Sequence, residues 1–166
     1  MKAISNSSVL IALSSIDQLS VLTQRFPDGI LIPQAVWYEV VETGSGRAGA
    51  MAVAAGLNVW LSIQEVQNKT LISVLQQDLD QGEAEAIALL LEQPSEALLL
   101  DEKKARQVAR RMTLPVLGTL GLLIWAKRQG VIVNLQEQLD ALRTVAKFRL
   151  SQQVYDEALR QIGELQ

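Results

Sequence analysis

Two residue types that carry much of enzyme chemistry are missing from this chain of 166 residues, which contains no cysteine and no histidine. Without cysteine, disulfides, zinc–thiolate sites, iron–sulfur clusters and thiol catalysis are excluded. Without histidine, the chain lacks the commonest general base, the Ser-His-Asp triad and most transition-metal sites. Any catalysis must therefore use carboxylates, hydroxyls, amides, lysines or a hard metal bound through oxygen.

Aromatic residues and positive charge are also scarce. Aromatic residues make up 4% of the chain and hydrophobic residues 49%, so we expect an aliphatic core. The net charge of −3 argues against a basic nucleic-acid coat but leaves room for a local basic patch. The polar run at 5–8 makes the start a poor signal peptide, and the broken apolar stretch at 114–126 is too short to span a bilayer. We therefore expect a cytoplasmic protein without membrane contact.

Short apolar runs alternate with longer amphipathic stretches along the chain, a rhythm typical of βαβ units and a parallel sheet. The predicted strands lie near 3–5, 30–32, 57–63, 97–100 and 116–117. Helices are predicted near 9–13, 17–26, 33–42, 49–55, 68–77, 83–92, 102–112, 120–128, 135–145 and 152–164, with Asn134 and Ser151 as caps of the last two. We expect one α/β domain over 1–133 and a helical extension over 134–166 packed on it.

Polar residues follow two of the predicted strands directly. Asn6 follows the first strand, and Asp101 follows the apolar run at 98–100. In an open α/β sheet, ligands bind outside the carboxyl ends of the strands, so both are candidate ligand residues. Asparagine and aspartate are also favoured N-cap residues, and a purely structural role remains an open alternative.

Helix phase identifies Glu83 as another candidate ligand residue, on a helix and not at a strand end. At about 100° per residue it lies on the same side as Ile87 and Leu90, where a carboxylate is costly unless it binds something. The alternative is a capping box formed by Asp80 and Glu83. The same phase places Ala84, Ile87, Ala88 and Leu91 on the apolar face, and Glu85 and Glu92 on the solvent side.

Glu39 is a further carboxylate at the boundary of an apolar face. In the helix predicted over 33–42, Val36 and Val40 form the centre of the buried face, with Glu39 beside them and Glu42 turned further out. A boundary carboxylate of this kind is equally compatible with an ordinary amphipathic surface.

One motif is misleading. The stretch at 44–49 matches the G-x-G-x-x-G dinucleotide pattern, yet its glycines follow a predicted helix rather than a strand, so a helix–helix connection is the better interpretation. The glycines around Thr119 could present backbone N–H groups to a phosphate, although such glycines more often permit close packing of a helix on a sheet.

The helix predicted over 102–112 concentrates positive charge in an acidic protein. Its apolar stripe is formed by Ala105, Val108, Ala109 and Met112, and basic residues cover the rest. We interpret this surface as a track for an RNA backbone, with Lys103, Lys104, Arg106 and Arg110 as the contacts and Lys127 and Arg128 as an extension. A solvated helix surface is the alternative.

Several segments together resemble the PIN-domain superfamily, metal-dependent ribonucleases that include many toxins of toxin–antitoxin pairs. The segments are ISNSSVLIAL at 4–13, IPQAVWYEVV at 32–41, LDQGEAEAIAL at 79–89 and LLLDEKKAR at 98–106. VLGTLGLL at 116–123 and FRLS at 148–151 are similar to a little-characterised prokaryotic branch. The resemblance implies a three-layer α/β/α sandwich with a central parallel sheet of four or five strands.

The resemblance also implies a site. Carried over by position, its metal-binding and catalytic set falls on Asn6, Glu39, Glu83 and Asp101, with Ser8 and Thr119 as supporting hydroxyls. The chain departs from the pattern at Asn6, where the family usually has aspartate. An asparagine offers a metal one carbonyl oxygen and no charge. Three carboxylates suit one Mg²⁺ or Mn²⁺ better than two.

Two functions follow as hypotheses. The first is a Mg²⁺- or Mn²⁺-dependent endoribonuclease that cleaves single-stranded RNA. The resemblance implies a role as the toxin of a toxin–antitoxin pair, with a homodimer and a small antitoxin as expected partners. The second is a PIN-like module that binds RNA or a protein but has lost its chemistry, which Asn6 supports. A phospho-acceptor receiver domain is disfavoured, because it needs adjacent acids where this chain has Ser5-Asn6-Ser7.

Overall fold

The computed structural model describes residues 1–44, 46–47 and 49–164. Within these residues, five parallel strands form one sheet in the order β3-β2-β1-β4-β5. The strands are β1 (Ala3–Ser5), β2 (Ile30–Ile32), β3 (Leu61–Ile63), β4 (Ala97–Leu99) and β5 (Val116–Leu117). The all-parallel sheet predicted from the sequence is thereby confirmed.

Helices cover both faces of the sheet. They are α1 (Ser7–Ser15), α2 (Ser20–Arg25), α3 (Gln34–Trp37), α4 (Ala50–Ala55), α5 (Lys69–Leu75), α6 (Gln81–Glu92), α7 (Lys103–Arg111), α8 (Thr119–Arg128), α9 (Leu135–Thr144) and α10 (Gln152–Gln161). A π-helical segment, Tyr38–Glu42, continues directly from α3.

Alternation along the strands divides the hydrophobic core into two layers. Ile30 and Ile32 pack on one face with α1, α2 and α8, whereas Leu31 packs on the other face with α5 and α6. Successive side chains of a strand point to opposite faces, so β1, β2, β4 and β5 contribute to both layers, whereas β3 contributes to one. The result is the three-layer α/β/α sandwich expected from the resemblance.

Side-chain caps begin several of the helices where the sequence predicts them. Asn134 accepts a hydrogen bond from the backbone N–H of Glu137 at 3.0 Å, and Ser151 accepts one from Val154 at 3.1 Å. Each cap satisfies one of the backbone donors that a helix start leaves free. The two C-terminal helices contribute Leu135, Leu139, Leu142, Tyr155, Ala158 and Leu159 to the same core layer as α1 and α8.

The third strand is shorter than predicted. The expected strand at 57–63 is extended only over Leu61–Ile63, because the residues before it form a tight turn. Asn58 adopts a left-handed conformation with φ of 63°, and the N–H groups of Trp60 and Leu61 both donate to the Gly56 carbonyl at 3.0 Å. Leu57 makes only an isolated bridge to Leu61, and Val59 is 81% exposed, so the apolar run before Leu61 does not form a strand.

The helix predicted over 33–42 changes its winding after Trp37. The N–H of Thr43 donates to the Tyr38 carbonyl at 2.8 Å, a bond across five residues that defines a π turn. Such turns are frequent at functional sites. Val36 and Val40 are buried and Glu42 is exposed, as helix phase indicates.

Helix α6 contradicts two predictions. Glu85, expected on the solvent side, is 8% exposed, and Leu91, expected in the core, is 47% exposed. The helix lies between the sheet and the helices α3 and α5, so that residues Gly82 to Leu90 are all buried. A helix covered on both sides has no solvent face, and one-sided amphipathicity is then a misleading guide.

The glycine-rich stretch at 44–49 connects the π-helical segment to α4; residues 45 and 48 of that motif lie outside the described part of the chain. No helix in the described ranges has the length and apolar character needed to cross a membrane.

Candidate functional site

The carboxyl ends of the five parallel strands lie along one edge of the sheet, and the candidate residues follow them. The chain runs from β1 through β2 to β3 on one side, and continues with β4 and β5 on the other side of β1. The switch point therefore lies between β1 and β4, where open α/β sheets bind ligands. Asn6 follows β1 and Asp101 lies two residues beyond the end of β4, so both residues lie at the switch point.

Asn6 is buried at the start of α1. Its side-chain Oδ1 accepts a hydrogen bond from Ser8 Oγ at 3.0 Å and faces the Val9 N–H at 3.5 Å. Asn6 is thus the N-cap of α1, and the hydroxyl predicted to support it does contact it. These two donors use both lone pairs of Oδ1, so a role as metal ligand requires the Ser8 hydroxyl, which rotates freely, to turn away.

Glu39 contacts Ser7, the residue that follows Asn6 in the chain. Ser7 Oγ donates to Glu39 Oε2 at 2.9 Å, and a Cβ at Gly82 would collide with Glu39 Oε1. Burial raises the pKa of Glu39; the Ser7 hydrogen bond opposes this, and the charges of Asp80 and Glu85 add to it. The absence of a side chain at Gly82 therefore creates the space that this carboxylate fills.

Glu83 is the most unusual carboxyl group in the described chain. Its backbone N–H donates to Asp80 Oδ1 at 2.8 Å, so the predicted cap by Asp80 is present. Its own Oε2 is buried without a hydrogen-bond partner among the described residues. Burial and the adjoining Asp80 carboxylate, with a smaller contribution from Glu102, raise the pKa of Glu83 to about 8. The group is protonated at neutral pH unless a cation compensates its charge.

Asp101 does not cap the helix that follows it. Its carboxylate accepts hydrogen bonds from the Thr119 N–H at 2.7 Å and from Thr119 Oγ1 at 2.6 Å, and so caps the start of α8. Burial raises the pKa of Asp101, while the Thr119 hydrogen bonds and the nearby charge of Arg106 lower it. Thr119, a predicted supporting hydroxyl, is fully buried against this carboxylate.

The four candidates line one edge of the sheet without forming a closed cluster. In the residues that the structure describes, no three acidic side chains are close enough together to make a ready metal cage. Mg²⁺ usually takes one or two carboxylates and keeps several waters. The all-oxygen donor set, and the buried Glu83 oxygen without a partner, fit such a hard, water-rich ion.

Helix α7 carries the predicted basic track, with one correction. Lys103, Lys104 and Arg110 are exposed, and Lys104 pairs loosely with Asp78 at 3.6 Å. The sequence predicts that Arg106 faces solvent, but Arg106 is half-buried because its guanidinium group packs against Gly118. A Cβ at Gly118 would lie only 2.8 Å from Arg106 Nη1. Burial and the charge of Arg110 lower the pKa of Arg106, whereas Asp101 raises it.

The proposed extension of this track loses one member. Lys127 Nζ donates to the Val133 carbonyl and forms an ion pair with Glu164 at 3.3 Å. Glu164 in turn accepts from the N–H groups of Leu135 and Gln136 at 2.8 and 3.0 Å. Lys127 therefore joins α8 to the C-terminal helices and does not extend the basic surface.

Three residues near the site have roles that the sequence does not predict: it assigns no role to Ser7, only a cap to Asp80, and a position on the solvent side to Glu85. Ser7 orients Glu39, Asp80 adjoins the Glu83 carboxyl group, and Glu85 accepts a hydrogen bond from Gln81 Nε2 at 2.8 Å. Ser7 has no signal that distinguishes it from its serine neighbours. Glu85 lies near the site because it lines the same cavity as Glu39, and its charge raises the pKa of Glu39.

The fold and this edge define the chain as a doubly wound α/β domain with carboxylates at its switch point. A family model described as a PIN domain matches residues 2–164, nearly the whole chain, so the chain belongs to the PIN-domain family. This confirms the resemblance, indicates a nuclease-like fold, and places the chain among proteins that in general depend on divalent metals and bind RNA. No curated protein matches the chain.

Proposed function

We propose that this protein is a Mg²⁺- or Mn²⁺-dependent endoribonuclease that hydrolyses single-stranded RNA. The observation that carries the proposal is the buried Glu83 Oε2, which has no partner among the described residues and lies beside other carboxylates. An uncompensated buried carboxyl group is costly, and strongly shifted groups at a strand-end site are typical of function.

The residues divide into holding, orienting and binding roles in this proposal. Glu39, Glu83 and Asp101 would hold the metal directly or through water, with the Asn6 carbonyl as a weaker ligand. Ser7 and Thr119 keep two of these carboxylates in place by hydrogen bonds of 2.9 and 2.6 Å. The exposed α7 cations Lys103, Lys104 and Arg110 would bind the RNA backbone. When bound, a divalent metal activates water and neutralises charge that develops at the phosphodiester.

Two glutamates of the π-helical segment provide a matched test. Glu39→Gln should weaken Mn²⁺ binding about tenfold or more and reduce RNA cleavage, because it removes a half-buried ligand charge. Glu42→Gln makes the same chemical change at an exposed position and should leave both unchanged. Calorimetric titration with Mn²⁺ and Mg²⁺ and gel assays of single-stranded RNA cleavage measure the two effects. Equal behaviour of the variants would contradict the assignment.

A second candidate function is an RNA-binding PIN module without chemistry. It is favoured by Asn6, which replaces a charged ligand, and by the lack of a three-acid cluster in the described chain. The same experiment separates the two functions. Wild-type protein that binds RNA in EDTA, yet neither binds Mn²⁺ nor cleaves RNA with it, would establish the second function and exclude the first.

We keep the finer biological roles as proposals that family membership supports. These are action as the toxin of a toxin–antitoxin pair, a small antitoxin partner, a homodimer and a cytoplasmic location. The C-terminal helix α10 suits a protein contact, since it borders a groove with α8 whose lining combines apolar side chains such as Leu120 and Val154 with polar and charged ones.

A further inference from the structure

A cleft of about 740 Å³ opens beside the candidate site, on the β2 and β3 side of the sheet edge. Helices α3, α5 and α6 and the residues after β3 border it, and Glu39 belongs to both the cleft and the site. Helix α7, with its exposed cations, follows β4 on the opposite side of β1. The candidate metal site thus lies between the cleft and the basic helix.

The cleft presents an aromatic ring at its mouth. Tyr38 is 53% exposed, and within the described residues it is the one aromatic side chain among the exposed large hydrophobic residues. The amides of Gln34 and Gln81 also line the cleft. An exposed aromatic ring with polar groups behind it is the arrangement on which unstacked RNA bases are bound and read.

The charges of the cleft select a base rather than a phosphate. Glu39, Glu65 and Glu85 contribute three carboxylates, and Lys69 contributes one ammonium group. Excess negative charge repels a phosphate. Carboxylates only accept hydrogen bonds, so they favour a ligand edge rich in donors.

Among the four RNA bases, guanine matches this requirement best. Its Watson–Crick edge carries a ring N–H and an amino group side by side, two donors that one carboxylate can accept together. The corresponding edges of adenine, cytosine and uracil each have an acceptor next to their donor. Glu85 is 8% exposed and already holds the Gln81 amide, which makes it a preorganised acceptor in the cleft wall.

We propose that the cleft binds one unstacked guanine of single-stranded RNA, stacked on Tyr38 and hydrogen-bonded to Glu85, next to the bond that is cleaved. The proposal rests on the proposed function for its choice of RNA and for the neighbouring reaction. In this proposal the preference for an RNA base comes from the cleft residues of α3, the π-helical segment and α6, whereas α7 binds the RNA backbone.

The test uses binding in EDTA, which needs no metal and no cleavage. Fluorescence anisotropy would compare heptamer RNAs of uridine that contain one guanine or one adenine at the central position. Wild-type protein should bind the guanine RNA about tenfold more tightly. Tyr38→Leu should weaken that binding about tenfold, whereas Tyr38→Phe keeps the ring and should restore most of it. Glu85→Gln should abolish the preference for guanine over adenine while the uridine heptamer still binds.

Each outcome decides between the cleft and the proposed function. Equal affinities for Tyr38→Leu, Tyr38→Phe and wild type would overturn the cleft proposal, as would a wild type that does not prefer guanine. Cleavage is measured separately with Mn²⁺. Absence of cleavage with intact guanine binding would overturn the nuclease and retain the cleft. Cleavage with Mn²⁺ in the absence of guanine binding would overturn the cleft alone. Absence of both RNA binding in EDTA and cleavage with Mn²⁺ would overturn both.

Discussion

Each of the three candidate carboxylates lies in a different local environment. Glu39 receives a serine hydroxyl, Asp101 receives a backbone N–H and a threonine hydroxyl, and the Glu83 carboxyl group is left with a buried free oxygen. Hydrogen bonds to the charged form favour ionisation, and burial opposes it. Glu83 therefore responds most strongly to pH and to a cation.

The shifted pKa of Glu83 predicts how stability depends on pH. The unfolded chain loses this proton above about pH 4.5, but the folded protein retains it up to about pH 8, so folding stability falls across that window. Glu83→Gln does not titrate and should escape the fall. Urea unfolding in EDTA should show the variant about 1–3 kcal/mol more stable than wild type at pH 8 and nearly equal near pH 4.

Glu42→Gln serves as control for this experiment because it removes an exposed carboxylate. Its stability difference from wild type should change little between the two pH values. A difference for Glu83→Gln that is equally independent of pH would show that the buried carboxyl group is ionised in the folded protein. The proposed cost of its charge would then be refuted.

Asn6→Asp adds the charge that the family pattern usually has at this position. The nearly isosteric side chain keeps an acceptor for Ser8 and Val9. Without metal, the added buried charge should lower the melting temperature, because it lies near other carboxylates. With excess Mn²⁺ it should raise the melting temperature, because metal that binds only the folded state stabilises it. Thermal scans in EDTA and in Mn²⁺ would show this change of sign.

Asn134→Asp is the matched control, since Asn134 also caps a helix through its Oδ1, at 3.0 Å, and also has a neighbouring carboxylate, Glu164. Its shift in melting temperature should be the same with and without Mn²⁺. A shift at Asn6 that is likewise independent of metal would identify Asn6 as a cap and remove it from the proposed ligands.

At the scale of elements, helix α7 has a surface whose role is measurable. Lys103→Glu combined with Arg110→Glu should weaken single-stranded RNA binding and lower the magnitude of the salt slope by about 0.7 for each lost phosphate contact. Both residues are exposed, so the fold should persist. Arg106 is left intact, because its guanidinium group is half-buried and acts on Asp101.

The control pair for α7 lies at the other edge of the sheet. Lys2 precedes β1. Arg128, which the sequence suggested as an extension of the α7 surface, ends α8 at the opposite edge of the sheet from Thr119, the first residue of that helix, so it also lies away from the α7 surface. Both Lys2 and Arg128 are exposed. Lys2→Glu combined with Arg128→Glu changes the net charge by the same amount and should leave the salt slope near that of wild type. If both pairs reduce binding equally, overall charge and not the α7 surface is responsible.

Helix phase predicted α3 better than α6, for a physical reason. In α3, before the π turn, one face is covered and the other is open to solvent. The helical spacing of its apolar residues therefore predicts which of them are buried. Helix α6 is covered by the sheet and by neighbouring helices, and it buries Glu85 as well as Ala84. Periodicity describes a single interface, and it fails where two interfaces meet on one helix.

At the scale of the whole molecule, the C-terminal helices bear on the domain boundary expected at 133 and 134. Helices α9 and α10 share a core layer with α1 and α8, and Glu164 joins the start of α9 to Lys127 of α8. We propose that 1–133 and the extension 134–166 fold as one unit.

The order of strands and helices, the alternation that predicts a parallel sheet, and the positions of Asn6 and Asp101 at strand ends can be read from the sequence. These features depend on local periodicity, caps and turns, which neighbouring residues determine. Only the folded structure shows that β1 lies between β2 and β4, that Arg106 approaches Asp101, and that Glu85 is buried beside the cleft. These features depend on contacts between segments far apart in the chain, where the burial of a charge is decided by its partners and not by its own helix.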